Sequence, residues 1–269
     1  MNPLTEVAAA VVAALKSPEL LKEIYGDLLK PGVKQVGVAV EKILKLPNIA
    51  LWRIDLWEGR SGIALQANLE AYRVEMSKVA DEKVLEVPPE LGVPVMEKLA
   101  YVSDAELSRL YVALLASASN LDTSDSAHPA FVNIINCLSP DEGRLLLPLA
   151  QGGRIAFVDG QIVDTTNGSH WSIRPLMVPE ALTAPLVVKK NLAAYLGNLE
   201  GLGIVKVGTD QWLTADEPYE PMSTEFMKTL VSLGPTQKLN AQRGMIEVTP
   251  YGHLFMRGCK VLERLQAQG

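Results

Sequence analysis

The sequence is poor in cysteine and lacks the short motifs by which many enzymes are recognised. Cys137 and Cys259 are the only cysteines among 269 residues, and without a CxxC pair they indicate neither a disulfide framework nor a zinc site. No GxGxxG follows a predicted strand and no GxxxxGK[ST] occurs, which argues against phosphate-cradling loops. The three histidines, His128, His170 and His253, are far apart and form no HExxH motif. We therefore predict no metal and no cofactor.

Signs of nucleophilic chemistry are missing as well. No GxSxG elbow occurs, and Gly168-Ser169-His170 is typical of a polar loop. His128 precedes Pro129 and has no acid or nucleophile at motif spacing, which favours a capping or packing role. A catalytic site assembled from residues that are far apart in the sequence remains an alternative. The expectation is a protein that is not an enzyme.

An excess of positive charge is also absent. Lys and Arg number 25 against 31 Asp and Glu, a net charge of -6, which argues against coating nucleic acid through a global positive field. The first residues lack the basic region of a signal peptide, and the apolar run 7–15 is too short to span a bilayer. The expected location is the cytoplasm, with association to a membrane surface as the alternative.

Helical patterns dominate residues 1–126, which we predict to be a helical domain. Ser103-Asp104-Ala105-Glu106 is a capping box, in which the serine oxygen accepts from a helical amide and the glutamate reaches back. A helix with an apolar stripe from Leu107 to Ala118 follows it. A second capping box, Ser139-Pro140-Asp141-Glu142, predicts another helix start.

Residues 127–269 mix helix and strand, although 127–138 could belong to either side of the boundary. Two apolar runs flank Asp159-Gly160, which predicts a tight hairpin there. A long helix is predicted from Leu186, ending at Gly201 and Gly203. Strand 204–207 is expected to pair with 245–248 across an insertion at about 208–244, and Thr249-Pro250 to start a last helix. The fold class is mainly α with a C-terminal α+β part, and the element order is that of a winged-helix-like domain.

Two surfaces are candidates for binding. The segment 33–57 is basic and amphipathic and suits a membrane or partner surface, although a buried helix is the favoured alternative because Glu41 and Asp55 dilute the charge. Its candidate residues are Lys34, Lys42, Lys45, Trp52, Arg53 and Trp57.

The second candidate surface is the presumed recognition helix of the winged-helix-like domain. Lys189, Lys190, Asn191 and Asn198 are available there for a macromolecule. Residues 121–269 hold 12 Lys and Arg against 15 Asp and Glu, a net charge of -3. This balance favours a protein-binding or structural role over DNA binding.

Four segments, taken together, resemble the bacterial abortive infection alpha (Abi-alpha) family. They are Ile24–Pro31, Leu110–Ala118, His128–Val132 continuing through Leu138–Glu142, and Val248–Phe255. The resemblance implies a role in defence against phage, in which an infected cell is arrested before progeny escape. It supplies no catalytic residues, so the mechanism stays open.

Three readings of the sequence compete. The favoured reading is a non-enzymatic sensor or adaptor that recognises a phage or host macromolecule, a protein before a nucleic acid. The alternatives are an effector that perturbs the membrane through segment 33–57 and a winged-helix regulator that binds DNA.

Overall fold

The computed structural model describes residues 60–99, 101–229 and 231–263. Contacts within the chain divide it into two compact units, the first made of Met1–Pro140 with Phe255–Gly269 and the second of Asp141–Leu254. Residues 127–138, which the sequence left on either side, lie in the first unit. The predicted surface segment 33–57 lies outside the described residues.

The described part of the first unit is helical. Its elements are α1 (Arg60–Met76), α2 (Pro89–Leu99), α3 (Ala105–Ala118) and α4 (Ala130–Asn136), with 3-10 turns at Asp81–Lys83 and Ser124–Ser126. Helix α3 packs against the other three, and its residues from Leu110 to Ala118 are all buried. A helix that is buried on every side is the core of the unit rather than a surface element.

The start of α3 differs in one detail from the predicted capping box. The N-cap is Asp104 rather than Ser103, and its carboxylate accepts hydrogen bonds from the amides of Glu106 and Leu107 at 3.0 and 3.1 Å. A carboxylate at this position also interacts favourably with the positive end of the helix dipole. The predicted helix is therefore confirmed, one residue out of register at its cap.

Neutral side chains satisfy one another inside the first unit. Asn68 is buried, and its amide donates to the carbonyl of Leu99 at 2.8 Å while the hydroxyl of Ser108 donates to its oxygen. The hydroxyls of Tyr72 and Ser119 lie 2.7 Å apart, and burial raises the pKa of Tyr72. These hydrogen bonds join α1 to α2 and to α3 through uncharged groups.

The second unit combines helices with one four-stranded sheet. The order along the chain is α5 (Pro140–Gly152), β1 (Arg154–Asp164), β2 (His170–Met177), α6 (Glu180–Thr183), a 3-10 turn (Lys189–Asn191), α7 (Leu192–Gly201), β3 (Val205–Gly208), α8 (Glu220–Met227), β4 (Gln237–Val248) and α9 (Pro250–Gly258). Pro140 and the part of α9 from Phe255 onward belong to the first unit. The strand order in the sheet is β2-β1-β4-β3, and every neighbouring pair is antiparallel. The described chain is about half helical, and the expected α+β character of this part is confirmed.

The hairpin predicted at Asp159-Gly160 is wrong. Both residues lie inside β1, and the chain reverses instead at 165–169, where Gly168 has a φ of +74° and its amide binds the carbonyl of Asp164 at 2.9 Å. Gly160 has a packing function, because a Cβ there would lie 2.4 Å from the ring of Phe226. A glycine inside a strand often marks such a close approach rather than a turn.

The predicted strand pair is confirmed, with Val205 opposite Val248 and Val207 opposite Ile246. Residues 209–236 connect β3 to β4 and carry α8. Helix α8 covers one face of the sheet, where its apolar side chains join a buried cluster. The members of that cluster are Ala156, Val158, Met177, Tyr219, Met222 and Phe226.

The long helix predicted from Leu186 begins later, at Leu192. Val188 has a φ of -114° and a ψ of 74°, which lies outside the helical region. The amides of Val187 and Val188 bind the carboxylate of Asp141, and the chain before α7 forms a turn. The predicted helix end is confirmed, since Gly203 has a φ of +75° and its amide binds the carbonyl of Glu200 at 2.9 Å.

Candidate macromolecule-binding surface

A buried carboxylate at the start of α5 binds the backbone of the chain just before α7. Asp141 is 5% exposed, and its Oδ1 accepts from the amide of Val187 at 3.0 Å while Oδ2 accepts from the amide of Val188 at 2.9 Å. The guanidinium of Arg144 lies 2.8 Å from Oδ1, and the hydroxyl of Tyr195 donates to Oδ2 at 3.1 Å. We call these contacts the Asp141 clamp.

The clamp favours the ionised carboxyl. Burial alone would raise the pKa of Asp141, but the amides of Val187 and Val188, the Arg144 guanidinium and the Tyr195 hydroxyl together hold that pKa below its ordinary value of 3.8. A carboxylate that accepts several hydrogen bonds is stabilised in its charged form. Asp141 is therefore held in its charged form, and its two oxygens are occupied by structural hydrogen bonds.

A second buried carboxylate, Glu142, follows Asp141 in α5. It is 4% exposed, and its Oε1 accepts from the amide nitrogen of Asn198 at 2.8 Å. Asn198 was a sequence candidate for binding, and the structure shows it joining α7 to α5. A buried charge is tolerated where hydrogen bonds compensate its lost hydration.

The residues that the clamp fixes form an exposed turn, Val187–Asn191, which we call the basic turn. Val187 is 75% exposed, and Lys189, Lys190 and Asn191 are exposed beside it. Leu186 and Leu192 are buried on either side of the turn and anchor its two ends. The sequence candidates Lys189, Lys190 and Asn191 therefore lie together on one surface, whereas Asn198 lies partly buried behind it.

The exposed face of α7 carries small residues. Ala193, Ala194, Gly197 and Gly201 are exposed, and nothing lies within 4 Å of a Cβ built at either glycine. Reading base edges in a DNA groove needs long polar or cationic side chains. Apart from Glu200, whose Oε1 accepts from the amide of Val207 at 2.8 Å, this exposed face carries no long polar or cationic side chain.

Cys259 and His128 have structural roles. Burial raises the pKa of the Cys259 thiol. His128 accepts a hydrogen bond at Nδ1 from the amide of Ala130 at 3.1 Å, which places it at the start of α4 as a capping residue. Among the described residues, no group of three His, Cys, Asp or Glu side chains is arranged to hold a metal ion.

Sequence reasoning missed Val187, Tyr195 and the role of Asp141. Asp141 was recognised as part of a capping box, which is a local pattern, whereas all its clamp partners except Arg144 lie 46 to 54 residues further along the chain. No sequence spacing signals such a contact. The other candidate surface, with Lys34, Lys42, Lys45, Trp52, Arg53 and Trp57, falls outside the described residues. Within the part that the structure describes, no helix is long and apolar enough to cross a bilayer.

Comparison with known proteins gives one match. The family model described as abortive infection alpha matches residues 64–259, which is well over half of the chain. Neither the curated proteins nor the solved structures give a significant match.

The matched region includes residues that carried the sequence resemblance, and the structure gives several of them a packing function. The rings of Phe131 and Phe255 meet edge to face at 5.2 Å. Gly252 allows close approach, because a Cβ there would lie 2.1 Å from the carbonyl oxygen of Ile204.

Proposed function

Because this chain belongs to the abortive infection alpha family, we propose that it is a non-catalytic component of a bacterial anti-phage response and acts by recognising a macromolecule. The family match over residues 64–259 is the observation that carries the defence role. The proposed setting is the cytoplasm of an infected bacterium, where the chain serves as sensor or adaptor.

We assign the recognition step to the second unit, as a winged-helix-like module. Its strands β1, β4 and β3 are adjacent in that order and antiparallel, and α5 precedes β1 while α6 and α7 precede β3. A three-stranded sheet with helices in this order supports the proposed module, in which α7 occupies the position of the recognition helix and β2 is an addition at the edge.

The test of the defence role is a phage challenge. Bacteria that carry the gene are expected to give fewer plaques and to stop growing before lysis, whereas cells with an empty vector lyse normally. Equal plating on both strains would contradict the role. The non-catalytic part is tested separately with the purified chain, because turnover of a nucleotide, nucleic acid or protein that a point substitution abolishes would contradict it.

A winged-helix regulator that binds DNA is the second candidate, and the exposure of Lys189 and Lys190 is the observation in its favour. Contacts to phosphates by these two lysines would make the affinity fall with salt, with a slope of about -2 on logarithmic axes. Binding of a DNA duplex that is unchanged in a Lys189→Glu, Lys190→Glu variant would reject this surface.

A further inference from the structure

We infer that the basic turn docks an acidic, partly apolar segment of a partner protein, and that Asp141 positions the turn for this contact without touching the partner. The inference rests on the proposed recognition role and names the class of partner. Two observations support it. Lys189, Lys190 and Val187 are exposed on the same turn, and the buried carboxylate of Asp141 binds the backbone of that turn.

The charges of the second unit set these lysines apart. Five of its cations form ion pairs with acids of the same unit, namely Arg144 with Asp141, Arg154 with Glu247, Arg174 with Glu225, Lys206 with Asp210, and Arg243 with Asp216. Lys189, Lys190, Lys228 and Lys238 are the cations of the second unit that make no ion pair within the described residues, and of these four only Lys189 and Lys190 are adjacent in the chain. Their charge is therefore available to carboxylates from outside.

The exposed side chain of Val187 favours a protein over a nucleic acid as the partner. Exposed ion pairs contribute little to binding because water and salt screen them, so two lysines alone give a weak contact. Val187 adds an apolar side chain at the same place, and a protein can cover it with apolar side chains while its carboxylates reach the lysines. A nucleic acid offers phosphates to the lysines, but these leave Val187 uncovered, and the exposed face of α7 adds only small residues and the acidic Glu200.

The clamp explains why Asp141 belongs to the docking surface although it is buried. Binding costs less when the contact residues are already ordered, because each side chain or loop that is immobilised on association costs free energy. Asp141 fixes the amides of Val187 and Val188 directly. Its substitution by Asn replaces one accepting oxygen by a donor that faces an amide, so the turn loses one anchor.

The first experiment places a photo-cross-linking aromatic amino acid at position 187 of the full chain in phage-infected cells. A second chain carries the same group at Trp212, which is also more than half exposed but lies on the β3–β4 connection. We expect a protein adduct specific to position 187, and the cross-linked fragment should carry at least two Asp or Glu close to the adduct. A nucleic-acid adduct, a fragment without acidic residues, or the same adducts from both positions would overturn the inference.

The second experiment measures the affinity of the purified full chain for a synthetic peptide of the sequenced fragment. Charge reversal in Lys189→Glu, Lys190→Glu is expected to weaken binding at least tenfold. The matched control is Lys228→Glu, Lys238→Glu, which reverses two exposed lysines of the same unit outside the basic turn and should leave the affinity unchanged. Equal weakening in both variants would overturn the specific surface.

The positioning role of Asp141 is tested with the Asp141→Asn variant in the same titration. We expect about tenfold weaker binding, which corresponds to about 1.4 kcal/mol, in a chain whose circular dichroism stays native at the measuring temperature. A folded variant with wild-type affinity would overturn the role. Raised salt should weaken peptide binding by the same factor in the wild type and the variant, because both keep the two lysines. If the adduct at position 187 forms but the chain does not reduce phage plating, the proposed defence role is wrong while the docking surface stands.

Discussion

The two units of this chain solve the same problem of buried polar groups in opposite ways. In the first unit the buried partners are neutral, with Asn68 and Ser108 on one site and Tyr72 and Ser119 on another. The second unit buries the carboxylates of Asp141 and Glu142 beside the neutral side chain of Gln161. Neutral networks hold helices together at any pH, whereas a charged clamp depends on its ionisation. The first unit therefore contains buried hydrogen bonds between neutral groups, whereas in the second a carboxylate fixes the chain before α7.

The largest expected effect is the loss of the clamp itself. Asp141→Ala removes the acceptor of two amides and one hydroxyl and leaves them buried beside an unpaired Arg144. Breaking such a buried arrangement costs about 3 kcal/mol, which we expect as a fall in the free energy of unfolding measured by urea titration. A loss below about 0.5 kcal/mol, the level of a surface substitution, would show that the clamp contributes little to stability and does not distinguish the two units.

Acid should sharpen the contrast. Because the folded pKa of Asp141 lies below its ordinary value of 3.8, its ionised form stabilises the fold fully above about pH 4. This stability is lost as the pH falls through the folded pKa. The difference in unfolding free energy between the wild type and Asp141→Asn should therefore be constant at neutral pH and shrink below about pH 4. A difference that stays constant down to pH 2 would show that the clamp does not depend on the charge.

Asn68→Ala probes the neutral interior of the first unit. It leaves the carbonyl of Leu99 and the hydroxyl of Ser108 without their partner, at an expected cost of about 2 kcal/mol. Because none of these groups titrates in acid, the cost measured by urea titration should be the same at pH 3 and pH 7. A cost that changes between those two values would contradict the assignment of a neutral network.

The smallest expected effect is that of Tyr72→Phe. The substitution removes one hydroxyl, and the hydroxyl of Ser119 keeps a second partner in the carbonyl of Leu115 at 2.8 Å. The expected loss is about 1 kcal/mol, the typical net value of one hydrogen bond, again read from urea titration. A loss as large as that of Asp141→Ala would show that the neutral network is as demanding as the charged clamp.

Local signals predicted the elements that depend on neighbours in sequence. The helix starts near Ser103 and at Pro140, the end of α7 at Gly203 and the pairing of β3 with β4 all follow from caps, glycines and apolar runs. Predictions failed where a distant side chain competed with a local pattern. Gly160 continues β1 through an irregularity of the β1–β2 register and packs on Phe226. The hydrogen bonds from Val187 and Val188 to Asp141 hold the chain before α7 in a non-helical turn.

The candidate surface was predicted in part for the same reason. Lys189, Lys190 and Asn191 were found because cations and amides ahead of a helix are visible in the sequence. The side chain that positions them, Asp141, is 46 residues from Val187, so only the folded chain brings them together.

The sheet contains two places where a phenylalanine ring occupies the space that a glycine leaves empty. A Cβ at Gly160 would lie 2.4 Å from the ring of Phe226, and one at Gly244 would lie 2.2 Å from the ring of Phe157. Neither member of such a pair can change alone, because a larger residue at the glycine needs a smaller one at the ring. Among relatives of this chain, positions 160 and 226 should therefore vary together, as should 244 and 157. That coupled variation would record the packing of the sheet in an alignment of family members.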